Sequence, residues 1–102
     1  IDTDVHAAQY AYAGTATDLP LMEWLQKHAF PCERRLSDPR IAQRVFSGVV
    51  DRLLRNGTTT ALYFGTIHRE ACNVLARVCN REGQRAFVGK VCMDRHGADG
   101  YG

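Results

Sequence analysis

TTTALYFG, residues 58 to 65, is β-branched, aromatic and almost continuously apolar, the composition of a strand buried on both faces. Such a strand belongs to a parallel sheet covered by helices, and the flanking sequence supplies them. Upstream, Asp38 can cap a helix that opens at Pro39. Ile41, Val45, Val49 and Leu53 then recur at every fourth position, Ala42, Phe46, Val50 and Leu54 widen the apolar stripe, and Asn56-Gly57 provides a left-handed stop. Downstream, the spacing of Ala71, Val74, Leu75, Val78 and Cys79 predicts a second helix from about His68 to Glu82, with Gly83 after its end. QRAFVGKVCM, Gln84 to Met93, reads as another strand, and the polar and Gly-rich residues 95 to 102 read as a loose tail.

The first strand lies at the start of the chain, in IDTDVH, residues 1 to 6. From there to the capped helix runs AYAGTATDLPLMEWLQKHAFPCERRLSDP, read as a long loop that holds a short helix from Pro20 to about His28, with Leu21, Trp24 and Leu25 on its apolar side. Strands alternating with helices of this length imply βαβ crossovers and an α/β fold with a parallel sheet. A doubly wound sheet would carry a G-x-G-x-x-G turn after its first strand, and HAAQYAYAG has none. A partial (β/α)8 barrel of about three parallel strands, spanning residues 1 to 94, is therefore the expected architecture, since a whole barrel takes about 250 residues. A first residue of Ile rather than Met adds the expectation that the chain is an excerpt or a processed product of something longer.

The chain has 102 residues, 45% of them hydrophobic and 24% charged, which suits one folded unit and excludes a disordered one. Its formal charge of +2 is scattered, and Arg34-Arg35, the one adjacent basic pair, reads as a solvated loop rather than a nucleic-acid patch. No apolar run approaches the roughly 18 residues that span a membrane, and no signal pattern opens the chain. A cytoplasmic protein without nucleic-acid or membrane partners is expected. Cys32, Cys72, Cys79 and Cys92 lack metal or redox spacing and read as free thiols, Cys72 and Cys79 as small buried hydrophobes on one helix face.

In the first strand Asp2, Asp4 and His6 stand at every second position, so a regular strand would place all three on one face. Buried there without partners they would cost several kcal/mol, and a bound cation is one remedy. His nitrogen and Asp oxygen both suit zinc.

The segments DTDVHAAQY, DLPLMEWL, NGTTTALYFGTIH and GQRAFVGKVCMD, in this order and at these separations, resemble the guanine deaminases of the metal-dependent amidohydrolase superfamily. The likeness runs from Ile1 to about Asp94, and DLPLMEWL and GQRAFVGKVCMD are its most specific parts. The resemblance implies a zinc-dependent hydrolase of purine catabolism that converts guanine to xanthine and ammonia, homodimeric in its complete form. In that family the first barrel strand ends in an H-x-H pair that binds zinc, and a Gln three residues beyond the second His meets the purine. Carried over, the metal positions are Asp4 and His6, and the substrate stretch is His6, Ala7, Ala8 and Gln9. Asp4 stands where the family has His; being shorter and anionic, it is expected to displace the metal and weaken its Lewis acidity. The family's remaining ligands and proton-transfer residues match nothing up to Gly102, so no catalytic residue is assigned. Two other readings stay open: an inactive short form acting as an interaction module, and a segment of a related amidohydrolase. His68 is expected to be structural, His28 and His96 to lie at the surface, and Trp24 to anchor the long loop.

Overall fold

β2 (Thr60–Phe64) is the central strand of a three-stranded, fully parallel sheet in the order β1 (Asp2–His6), β2, β3 (Arg85–Gly89), seen in a computed structural model that describes residues 1 to 12 and 18 to 95. The predicted tail at 95 to 102, apart from its first residue, and His96 lie outside the described residues. The α/β reading and the parallel sheet agree with the structure. The strands are shorter than expected, because Thr58, Thr59 and Gly65 flank β2 and residues 90 to 93 leave the sheet after Gly89.

The helices α3 (Pro39–Arg55) and α4 (Arg69–Glu82) connect the later strands and pack on each other and on one face of the sheet. Asp38 caps α3 as its residue type predicts, its carboxylate accepting from the Arg40 backbone N–H at 2.9 Å. That bond, together with the Arg40 guanidinium, holds the Asp38 carboxyl below its ordinary range. The stripe on α3 is centred on Ala42, Phe46, Val49 and Val50, all buried, while Ile41, Val45, Leu53 and Leu54 are its half-buried margins. At the far end Gly57 takes φ +91°, letting the Thr58 N–H reach the Leu53 carbonyl and the Gly57 N–H reach that of Leu54. Gly83, at φ +82°, closes α4 in the same way, with the Gln84 N–H on the Cys79 carbonyl.

Between β1 and α3 the sequence reading needs correction. The segment read as a loop with a helix to His28 is helical from Leu21 to Arg35: α1 (Leu21–Trp24), a π-helical stretch Leu25–Ala29, and α2 (Phe30–Arg35). Proline inside an α-helix drives its ring into the carbonyl four residues back. Here the Phe30 N–H bonds the Leu25 carbonyl across a wider turn, so Pro31 follows a widened register and the helix continues past it. Arg34 and Arg35 therefore sit on the last turn of α2, exposed, rather than in a loop. Leu21, expected on the apolar side, is largely exposed, whereas Ala29 and Leu36 are buried.

The helix-facing side of the sheet carries Ala61 and Tyr63, both fully buried. The Tyr63 hydroxyl donates to Gln84 Oε1, and Gln84 Nε2 donates to the Thr58 carbonyl at 3.0 Å, which satisfies a buried amide just before β3. Burial, with the nearby Cys79 thiol, pushes the Tyr63 phenol well above its usual range. Cys72 and Cys79 are buried and unbridged, as expected. The other side of the sheet is open: Leu62 and Phe64 of β2 are each about two-fifths exposed, so β2 is buried on one face rather than both. A continuous apolar run reports what a strand can bury, and this chain's helices cover one side.

Gly65 marks the tightest joint. Its N–H bonds the Gly89 carbonyl at 2.8 Å, and a Cβ there would lie 2.7 Å from Cys72 Sγ and 3.1 Å from the Gly89 oxygen. The Gly89 oxygen is backbone and yields only if β3 shifts, whereas the Cys72 thiol must turn about its side-chain torsion and give up its 3.4 Å contact with the Thr66 carbonyl. Gly65→Ala is expected to lower stability by about 1–3 kcal/mol, read as a fall in the urea midpoint; an unchanged midpoint would show that the joint is slack.

Candidate functional site

The site is built on the carboxyl ends of the strands, because the register brings His6, Phe64 and Gly89 side by side as the last residues of β1, β2 and β3. β1 is not a regular strand. Asp2 pairs with Ala61 and Val5 with Tyr63, so three steps along β1 match two along β2, and the extra residue makes a bulge. Asp2 consequently shares the helix-facing side with Ala61, where it adds to the field on Tyr63. Its carboxylate also holds the bulge by accepting the Asp4 N–H at 3.0 Å. The expectation that Asp2, Asp4 and His6 share a face is thus corrected for Asp2.

Asp4 and His6 do come together. Asp4 Oδ1 lies 3.2 Å from His6 Nε2, and the two side chains are 73% and 49% exposed on the open side. The His6 ring lies on Phe64, with centroids 5.0 Å apart and planes 12° from parallel. Sequence inspection missed Phe64, because its contact with His6 depends on the strand register.

The Ala7–Tyr12 3-10 helix continues from β1 and turns the chain over the sheet edge. Ala7 and Ala8 are buried in the core, backbone included. Gln9 is half-buried and lines, with Asp4, His6, Tyr10 and Trp24, a groove of about 500 Å³ that runs down the outer edge of β1 to Val49, Arg52 and Leu53 of α3. Trp24 therefore stands in the wall of this groove. His68 precedes α4 as its N-cap residue, its backbone N–H held by Thr66 Oγ1 at 3.0 Å. Burial, and then Lys90, lower its pKa. Cys92 and Asp94 lie beyond the end of β3, both exposed.

The donor set bears on a metal. Among the described residues no group of three His, Cys, Asp or Glu side chains could hold an ion. Two donors of a zinc ion with bonds of about 2.0–2.1 Å in tetrahedral geometry stand about 3.3 Å apart, and the Asp4–His6 separation of 3.2 Å matches that edge. The pair fits as half of a zinc ligand set. The same 3.2 Å is an ordinary ion-pair separation, so the contact shows that the carboxylate reaches the imidazole.

A profile of the Amidohydrolase family matches residues 1–101. The guanine deaminase of Dictyostelium discoideum is 56% identical over 101 residues, covering 99% of this chain and 22% of the relative. Among solved structures, the E. coli guanine deaminase superposes with a TM-score of 0.83 at 40% identity over 98% of this chain. A guanine deaminase from C. acetobutylicum, with guanine bound in its active site, gives 0.87 at 33% identity over 91%. The chain spans 22% of the length of each of these proteins.

Proposed function

We propose, from the premise that the chain belongs to the amidohydrolase family, that it supplies the first strands of a guanine deaminase, a hydrolase that takes guanine and water to xanthine and ammonia. The 56% identity to the Dictyostelium discoideum enzyme along 99% of the chain carries this reading. The geometry supports it, since Asp4, His6 and Gln9 gather at the carboxyl end of β1, the rim on which barrels of this kind build their sites. Asp4 Oδ1 and His6 Nε2 are the two zinc donors of this segment, with further donors outside it. Bound zinc supplies a water acidified towards a pKa of about 7. Gln9 offers both a donor and an acceptor to the lactam edge of the purine. A cytoplasmic homodimer in purine catabolism is the setting this reading brings with it.

The test is a chimera in which the matched residues of the Dictyostelium discoideum enzyme are replaced by residues 1–101 of this chain. The chimera, with the remaining donors restored, is expected to bind zinc and to form xanthine from guanine. The 102-residue chain alone is expected to form none, because two donors do not retain an open-site zinc. A folded chimera without zinc and without xanthine, even as its Asp4→His variant, would sink the reading and favour an interaction module presenting the open sheet face.

A further inference from the structure

We propose that Phe64 is a positioning residue for the zinc-binding pair: its ring fixes the plane of the His6 imidazole so that Nε2 converges with Asp4 Oδ1. The inference rests on the ligand roles proposed for Asp4 and His6, and its substance is the local geometry.

His6 and Phe64 are register partners on adjacent parallel strands and point to the same side of the sheet. Their rings lie 12° from parallel at 5.0 Å, an offset stack of the kind aromatic pairs prefer. On the other flank of Phe64 the register partner is Gly89, which has no side chain, so the ring leans towards His6 without competition from β3. Phe64 remains about two-fifths exposed, as a residue held against one neighbour at an open rim would be.

The consequence for His6 follows from its exposure. A half-exposed imidazole turns about its last side-chain torsion, which is broad for a ring on an sp³ carbon. Asp4, itself largely exposed, fixes one edge of that ring and not its plane. A planar ring on the imidazole face removes the freedom that remains, so the pair enters metal binding already oriented. Hydrogen-bonded partners that orient a ligating His without touching the metal are worth about 10–100-fold in affinity, and a stacked ring supplies the orienting part of that effect. A flat partner is required for this; mere bulk is not.

The experiment uses the chimera defined above, with Phe64→Leu and Phe64→Tyr made both on Asp4 and on Asp4→His. Leu keeps most of the apolar volume and loses the plane; Tyr keeps both. Zinc affinity, measured by competition with a chromophoric chelator, is expected to fall by on the order of tenfold in Phe64→Leu and to stay near that of the parent in Phe64→Tyr, whose ring stacks in the same way. Equal affinities in all three proteins, or an equal loss in Leu and Tyr, would overturn the proposal. NMR of histidine-labelled, metal-free protein gives a second readout that needs no zinc. Stacking shields the His6 ring protons, and Phe64→Leu is expected to return them downfield while Phe64→Tyr leaves them in place. Unchanged His6 resonances in Phe64→Leu would refute the stack whether or not zinc binds. A chimera that binds no zinc but shows the ring shift would place the failure in the ligand assignment instead.

Discussion

Asp4→His is expected to raise guanine turnover in the chimera by on the order of 100-fold and to slow the loss of zinc to a chelator. The reason is charge and not reach. Asp4 Oδ1 already stands 3.2 Å from His6 Nε2, a separation that two donors on one tetrahedral zinc require. An anionic carboxylate there cancels part of the metal charge, so the bound water is less acidified and the developing negative charge less stabilised. A loss of about 2.7 kcal/mol in that stabilisation corresponds to the stated factor. Imidazole nitrogen also suits zinc better than a carboxylate oxygen does, which favours zinc retention in the histidine form. Steady-state rates and zinc content per protomer measure both effects; equal rates and equal zinc in the two chimeras would show that Asp4 is a full substitute and the charge argument mistaken.

Much of this was legible in the residues because it is local. The cap at Asp38, the stripe on α3, the glycine stops at Gly57 and Gly83 and the alternation of strands and helices are each fixed within a few residues, and the structure reproduces them. Three features depended on partners that a linear reading does not supply. The bulge in β1 turns Asp2 away from Asp4 and His6, and it exists only relative to the β2 register. The helix through Pro31 survives because a π turn widens around it, whereas proline by itself signals a stop. The contact between His6 and Phe64 joins residues 58 positions apart through strand pairing. Motif likeness located Asp4, His6 and Gln9, and the fold brought all three to one groove; their chemical roles belong to the proposal.

The 102-residue chain by itself is expected to self-associate instead of running as a single monomer. Phe87 of β3 is 62% exposed and Leu62 of β2 is 39% exposed, and the two are register partners on the same open side of the sheet. Ile1 and the half-buried Thr60 extend that apolar lining along the sheet. The helices α3 and α4 occupy the other side and cannot fold over to cover it. Among the described residues β1 and β3 are also the edge strands of the three-stranded order, each with a strand neighbour on one side, and such edges template pairing with another chain. Burying the apolar side against a second copy gains about 25 cal/mol per Å² of apolar surface removed from water, with the docking cost to be met from it. The core under the helices, including Phe46, Val50, Tyr63, Leu75 and Val78, is fully formed within this chain, so association should proceed between folded units. Light scattering coupled to size exclusion at several concentrations is expected to give a mass that rises with concentration. Leu62→Lys combined with Phe87→Lys, placed on the side that no helix covers, is expected to shift the chain towards monomer while preserving its helical circular dichroism. A monomeric mass at every concentration for the unmodified chain would show that the open side of the sheet is stable in water and that the surface argument fails.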